Sequence, residues 1–578
     1  MKRLLLAIFC QCLLPVGALA QDEQETITFK GDSYVINVDA LKPDKEMTLM
    51  DVLLTCQEMV SINGKFLAEY YDLRVDNISM VMDEETILHT LKASEISTIQ
   101  ICVFTSVTKG GDGAGGVIDV YLKEQEEGKT NGKVVLEGST RGNGKAYVDV
   151  KTRCKNVTVR GYALTNLQYA RGPLTDMDGF RERQGVEDMH LDVNWDISER
   201  DNLKLKVFQT FQDSKLQLHD DQEDAGELAL LQRYWAGIVS YTRTLNDQDA
   251  TLTAEGGVDR LNMVSGGIHE QNTFAYYLTE LNIPCFQQAL HIMAGWEIDY
   301  GNDWTVEVDR QQMMFNDLYA QLEYNKGPWI LTLGDRLRFI NYWHRDYNRD
   351  DTSLWKHHRS ENSYLVSVGY RTGRHFVQGV LNSDYIVPYI DDFYTDLDDD
   401  INRRVYNLNY QTHLITRLEA RYSFQKKNFL VSGSFLHTWS DNDPTYDQRS
   451  TGVRASVTWR NGPLRLTAGA DFYHEYIKGM GEDGNDHDNY FNLRLLPSLT
   501  LPNGFRLSSM LFYNSRRSLV TDVHPHLFAS VKVSKELGRH CTLSADFHDL
   551  AGMPRMSSHQ ANNVFHNRAL TLGVTFRY

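Results

Sequence analysis

Three groups of residues carry side chains suited to chemistry. Tyr342, Trp343, His344, Tyr347, Trp355, His357 and His358 gather rings and imidazoles into one short stretch. Such a group can stack on a sugar or another ring, or hold a metal chelate, although aromatics also collect at strand ends beside a membrane. Asp391, Asp392, Asp396, Asp398, Asp399 and Asp400 offer the hard oxygens that calcium takes, without the glycine or the spacing of an EF-hand. A solvated loop explains that run more simply, and no metal site is assigned. His548 and Asp549, with His559 and His566, could serve acid–base work, but no nucleophile is spaced to join them. No catalytic residue is assigned, no cofactor is expected, and the chain is read as a non-enzyme.

These side chains have to be positioned by something, and the closing stretch Ala569 to Tyr578 shows what. Leu570, Leu572, Val574, Phe576 and Tyr578 fall on one face of an extended strand, with Thr571, Gly573, Thr575 and Arg577 on the other. The same alternation returns at Met189, Leu191, Val193 and Trp195, at Tyr364, Val366, Val368 and Tyr370, and at Val453, Ala455, Val457 and Trp459. It returns again at Leu543, Ala545 and Phe547. One such strand also suits a half-buried soluble sheet. Repetition from Gly132 to the end suits a wall with lipid on one side and water on the other.

Short connections fall near Cys154–Asn156, Glu199–Asn202, Asn246–Asp249, Ile283–Phe286, Asn325–Pro328, Thr372–His375, Gln425–Asn428, Asn461–Pro463, Pro502–Gly504 and Gly538–His540. They alternate with longer acidic or aromatic connections. About ten tight turns join about 22 antiparallel strands, the size of a plugged outer-membrane transporter.

The N-terminus pairs Lys2 and Arg3 with an apolar run, Leu4 to Leu14, and then Gly17-Ala18-Leu19-Ala20. That is a signal peptide, residues 1–20, and its run is too short for a membrane-spanning helix. The formal net charge of −18 argues against nucleic acid as partner. Cys56, Cys102, Cys154, Cys285 and Cys541 form neither a disulfide framework nor a zinc site.

Between the leader and the alternating region lie mixed short elements. A strand is expected over Ser33 to Val38, a helical turn over Thr48 to Cys56, and strands over Leu73 to Asp76, Ile96 to Val103 and Val117 to Leu122. Gly110-Gly111-Asp112-Gly113-Ala114-Gly115-Gly116 precedes the last strand rather than opening a helix, which speaks against a nucleotide loop.

Four of these stretches together resemble the plug domain of TonB-dependent outer-membrane receptors. They are Asp51 to Leu54 with Val60 to Gly64, then Leu73 to Asn77, Ala93 to Ile101, and Gly113 to Val120. The Pro-Gly and Pro usual in such plugs are absent, with Gln57-Glu58-Met59 and Ala93 at those places. The resemblance implies a transmembrane β-barrel with a small N-terminal α+β plug in its lumen, sited in the outer membrane of a Gram-negative cell. The expected division is a signal peptide over 1–20, an extension over 21–30, a plug over 31–125 and a barrel over 126–578.

The resemblance further implies import of a scarce nutrient, bound at external loops and driven by the TonB complex of the inner membrane. Glu25, Thr26, Ile27, Thr28 and Phe29 resemble a TonB box, which offers backbone for strand addition. The same residues suit the plug's first strand, which is the reading they favour. Tyr342, Trp343, His344, Tyr347 and Trp355 are the candidate ligand contacts. Outer-membrane lipid is an expected partner, and a surface lipoprotein is one that glycan systems of this kind admit. The missing prolines leave open a plugged barrel without energy coupling, acting in surface binding or assembly.

Overall fold

The structure is a computed structural model. It describes residues 26–30, 33–41, 43, 47–54, 61–62, 65–66, 72–76, 78–79, 87–88, 91–102, 117–174, 177–219, 224–265, 268–305, 309–346, 355–386, 394–396, 404–406, 413–426, 428–443, 446–478, 485–515, 525–548, 550 and 569–578. The expected signal peptide, Glu25, Gly110 to Gly116, Tyr347, Asp549, His559 and His566 lie outside the described residues, as do Asp391, Asp392 and Asp398 to Asp400.

From Thr130 onward the backbone forms a closed barrel of 22 strands. All its pairs are antiparallel between sequence neighbours, and the last strand, Ala569–Arg577, closes the wall against the first, Thr130–Ser139. Closure satisfies every strand edge, which a membrane interior without water demands. The lipid-facing set is the apolar one anticipated from the alternation: Met189, Leu191 and Trp195, Val366 and Val368, Val453 and Val457, and Leu543 and Phe547 are all exposed. On the strand Trp329–Asp346, ten residues separate the exposed rings of Trp329 and Phe339. At ~3.3 Å per residue and a tilt of ~40°, that is ~25 Å of height, the thickness of a lipid-facing band.

Nine of the anticipated tight turns fall where expected. The tenth sits at Phe286–Ala289 instead of Ile283–Phe286, because Pro284 lies inside the strand Ile268–Cys285, opposite His291. Near a strand end the missing N–H of Pro284 costs little.

A six-stranded sheet fills the lumen. Its order is Ile27–Lys30, Ser33–Asn37, Ile96–Cys102, Val117–Leu122, Asp72–Val75, Ile78–Ser79. Only Asp72–Val75 and Val117–Leu122 run parallel. The helix Leu49–Leu53 packs on it, with Leu49, Val52 and Leu53 buried against Ile36, Leu73, Ile99 and Val120. Thr48 caps that helix: Asp51 N–H donates to Thr48 Oγ1 at 3.3 Å, and Thr48 N–H donates to Asp51 Oδ2 at 2.9 Å. This reciprocal cap fixes the carboxylate of Asp51 at the plug's edge, where the barrel wall meets it.

Candidate functional site

The site begins where plug and wall touch. Ile330, Phe376, Leu430, Phe512 and Phe528 of the barrel join the plug's apolar core. Around them the lumen-facing strand positions carry charge, because alternation sends every second side chain inward to water and plug. On the strand His413–Lys426, Arg417, Glu419 and Arg421 occupy three successive inward positions. Glu419 is fully buried and accepts from Arg421 Nη2 at 2.8 Å and Arg417 Nη2 at 2.5 Å. The plug completes this knot: Tyr34 Oη donates to Glu419 Oε1 at 3.1 Å, and the Arg421 guanidinium lies 4.3 Å from the Tyr34 ring centroid.

Two further ion pairs cross the interface farther around the wall. Arg506 Nη2 lies 3.3 Å from Asp51 Oδ2, the same oxygen that caps the plug helix. Burial pushes the Asp51 carboxyl upward, but Arg506 and the Thr48 N–H outweigh it and hold the group below the usual carboxylate range. Lys133 Nζ donates to Glu95 Oε2 at 2.8 Å and lies 3.8 Å from Asp149, itself held by Arg160 at 3.0 Å. Between these pairs lies a polar cleft lined by Ser508, Ser530, Ser534, Thr542, Ser544 and Asp546 among others. Backbone carbonyls add weaker ties, with Lys151 Nζ donating to Lys123 O at 2.8 Å and Arg460 Nη1 to Leu41 O at 3.4 Å. The described contacts between plug and wall are therefore noncovalent, and many are hydrogen-bonded through ends of long side chains.

Higher on the wall, Asp317 is fully buried, 2.7 Å from Arg336 Nε and 2.8 Å from Arg338 Nη2. Glu297 and Asp299 bring their oxygens within 4.8 Å of it. Three acceptors so placed could suit a cation, but two guanidiniums already occupy Asp317, and Arg336 also pairs with Glu297. The arrangement works as a charge-balanced girder in the wall.

The candidate ligand contacts separate. Tyr342 faces the lumen, buried, with its ring edge-on to Phe315 at 6.4 Å. Trp343 is half-buried on the alternate face of the same strand. His344 and Trp355 are backbone partners, and their side chains lie outside the described residues, as does Tyr347. Tyr342 lies thirteen residues beyond Trp329, so ~33 Å higher by the same arithmetic, at the long-loop end of the lumen.

At the other end, Ile27–Lys30 forms an edge of the plug sheet and, among the described residues, pairs to Ser33–Asn37 alone. Thr26 N–H donates to Gln425 Oε1 at 2.7 Å, beside the tight turn that follows Lys426. The stretch Thr26 to Phe29 therefore sits at the short-turn mouth. The residues that lock the plug, Tyr34, Glu419, Arg421, Asp51 and Arg506, were not singled out from sequence. For Glu419, Arg421 and Arg506 the signal was present as charged residues at alternate positions of otherwise regular strands.

No family model matches the chain, and no curated protein matches it in sequence. Solved structures do. The siderophore receptor PirA from Pseudomonas aeruginosa is similar with a TM-score of 0.68 at 11% identity, over 95% of this chain and 100% of that one. The copper transporter OprC gives 0.71 at 10%, over 95% and 100%. The FrpB iron transporter from Neisseria meningitidis gives 0.70 at 9%, again over 95% and 100%. At such identities the likeness is one of fold, that of the plugged 22-stranded barrels of TonB-dependent receptors.

Proposed function

We propose that this chain is an energy-coupled outer-membrane importer of a scarce, bulky nutrient. Ligand is bound at the long-loop end of the lumen, and the TonB complex of the inner membrane then shifts the plug. The observation that carries the reading is the edge strand Ile27–Lys30 at the short-turn mouth, with its outer side unpaired by any described strand. A sheet edge with no further described strand beside it is what a pulling partner would extend by strand addition. Noncovalent plug contacts support the same reading, since a plug that moves must release its wall without breaking bonds. Fold neighbours named for siderophores, iron and copper make metal chelates the first ligand class to try.

The test removes residues 21–29 and compares growth with the intact chain under iron or copper limitation, supplying each metal as its chelate. Coupled import predicts loss of chelate-dependent growth while the barrel still reaches the surface folded. Unchanged growth would leave a plugged barrel that binds or assembles at the surface without coupling.

A further inference from the structure

The lipid-facing surface carries two neighbouring arginines that no carboxylate neutralises. On the strand Asp224–Thr244 the outward positions read, from the short-turn end, Arg243, Tyr241, Val239, Gly237, Trp235, Arg233. Val239 and Trp235 are exposed while Tyr234 and Ala236 are buried, which fixes the outward set. Ten residues separate the two arginines, ~25 Å of height at ~3.3 Å per residue and a tilt of ~40°, so they stand at the two edges of the apolar band. At the lower edge Arg243 has a counter-charge, its Nε 3.8 Å from Asp201 Oδ1. At the upper edge Arg233 is exposed, and among the described residues it has neither an ion pair nor a hydrogen bond. Its guanidinium lies 5.7 Å from the Phe211 ring centroid.

Arg260 joins it from the next strand, Thr251–Ser265, where it stands opposite Trp235 and two residues below Asn262, the partner of Arg233. Its side chain runs upward: Nε donates to Asn262 Oδ1 at 3.3 Å and Nη2 to Gln271 Oε1 at 2.7 Å. Both guanidiniums thereby reach the row Phe211, Arg233, Asn262, Gln271, from diagonal positions ~7–8 Å apart. The amide oxygens satisfy two of the Arg260 donors and none of its charge. Two carboxylates stand on the same face, Glu187 beyond Phe211 and Asp213 one outward step above Phe211, and neither forms an ion pair with either arginine.

We propose that Arg233 and Arg260 bind the phosphate of a phosphorylated lipid of the outer leaflet. The face lies against lipid, so head groups are its neighbours at this height, and basic side chains at a membrane edge select anionic ones. Guanidiniums present forked donors that match phosphate oxygens, and they stay charged at any ordinary pH. The phosphate lies between the two and supplies the missing negative charge, while Asn262 and Gln271 hold Arg260 raised for the contact. The acyl chains run down the wall over Trp235, exposed two residues below Arg233. A neutral lipid would leave both charges unmet beside a medium that stabilises neither. The site needs only a barrel that spans the membrane, and is independent of whether the plug is pulled.

The test uses the full-length chain, purified in a neutral detergent and stripped of lipid. Dioleoyl phosphatidic acid is the phosphorylated probe, dioleoylglycerol its phosphate-free control and inorganic phosphate the competitor. Native mass measurement should show phosphatidic acid retained and dioleoylglycerol lost, with inorganic phosphate unable to displace the lipid. Arg233→Gln and Arg260→Gln should each weaken retention about tenfold, and Arg243→Gln, at the lower edge, should leave it unchanged. Heat-dependent gel mobility reports that each barrel is folded. Phosphatidic acid brominated in its acyl chains should quench tryptophan emission more than brominated dioleoylglycerol does, and Trp235→Phe should shrink that difference. This second readout keeps both arginines and so covers the case in which their variants fold poorly. Equal retention of the two lipids, displacement by inorganic phosphate, arginine variants that bind as the unmodified chain does, an equal loss in Arg243→Gln, or quenching indifferent to Trp235→Phe would each overturn the proposal.

Discussion

Replacing Glu419 by Gln is the sharpest perturbation of the plug's docking. The carboxylate is fully buried and holds Arg417 and Arg421 within hydrogen-bond distance, while accepting from Tyr34. Removing the negative charge takes from two buried guanidiniums the carboxylate they share. Loss of one partner from a buried ion pair costs about 3–5 kcal/mol. The Tyr34 bond, a hydrogen bond to a charged group, contributes about 1.5–3 kcal/mol of that by a separate route. Tyr34→Phe should therefore weaken docking less than Glu419→Gln, and the two together should fall short of their sum because they share one contact. The assay is protease access to the plug with the barrel intact, read against denaturant, with bilayer conductance as a second readout. Glu419→Leu combined with Arg417→Met and Arg421→Met should recover much of the loss, since no charge is then stranded. If Glu419→Gln leaves plug protection unchanged, the knot does not hold the plug and the reasoning fails.

Three further outcomes follow from the same geometry. Leu333→Arg, on the lipid face, should cost about 2–4 kcal/mol in barrel stability, measured by reversible unfolding into lipid, whereas Thr332→Arg on the lumen face should act by crowding and not by lipid exposure. Gly295→Val should destabilise by about 1–3 kcal/mol in thermal melts, because a Cβ there lies 2.2 Å from the Tyr319 ring, whose hydroxyl donates to Glu280 at 2.8 Å. Asp51 titrates below the usual carboxylate range when docked, so its contribution is full above its unfolded value and is lost as pH falls through the docked value. Plug protection in the intact chain should lose an acid-dependent component that Asp51→Asn lacks, and equal acid profiles for the two would contradict the Asp51–Arg506 tie.

The barrel was legible because its physics is local. A period of two, read at Leu570 to Tyr578 and again at Val453 to Trp459, declares a wall with two solvents, and each tight turn declares a strand end. The turn found at Phe286–Ala289 instead of Ile283–Phe286 shows the limit: its place is set by the pairing of Pro284 with His291 across two strands. The plug's strands were legible from their own apolar runs, with Val117–Leu122 found over the span expected. What fixes the plug to the wall was not legible. Tyr34 and Glu419 are 385 residues apart, and nothing near either names the other. Nor could alternation alone separate Tyr342 from Trp343 until the strand's inward face was known.

The central claim is that an inner-membrane partner pulls the plug by its edge strand. A photoreactive residue at Thr28 in the full-length chain, activated in living cells, tests this most directly. Coupled import predicts an adduct with TonB that strengthens when a transported chelate is supplied; adducts confined to the barrel itself, with none to TonB under any supply, would contradict it.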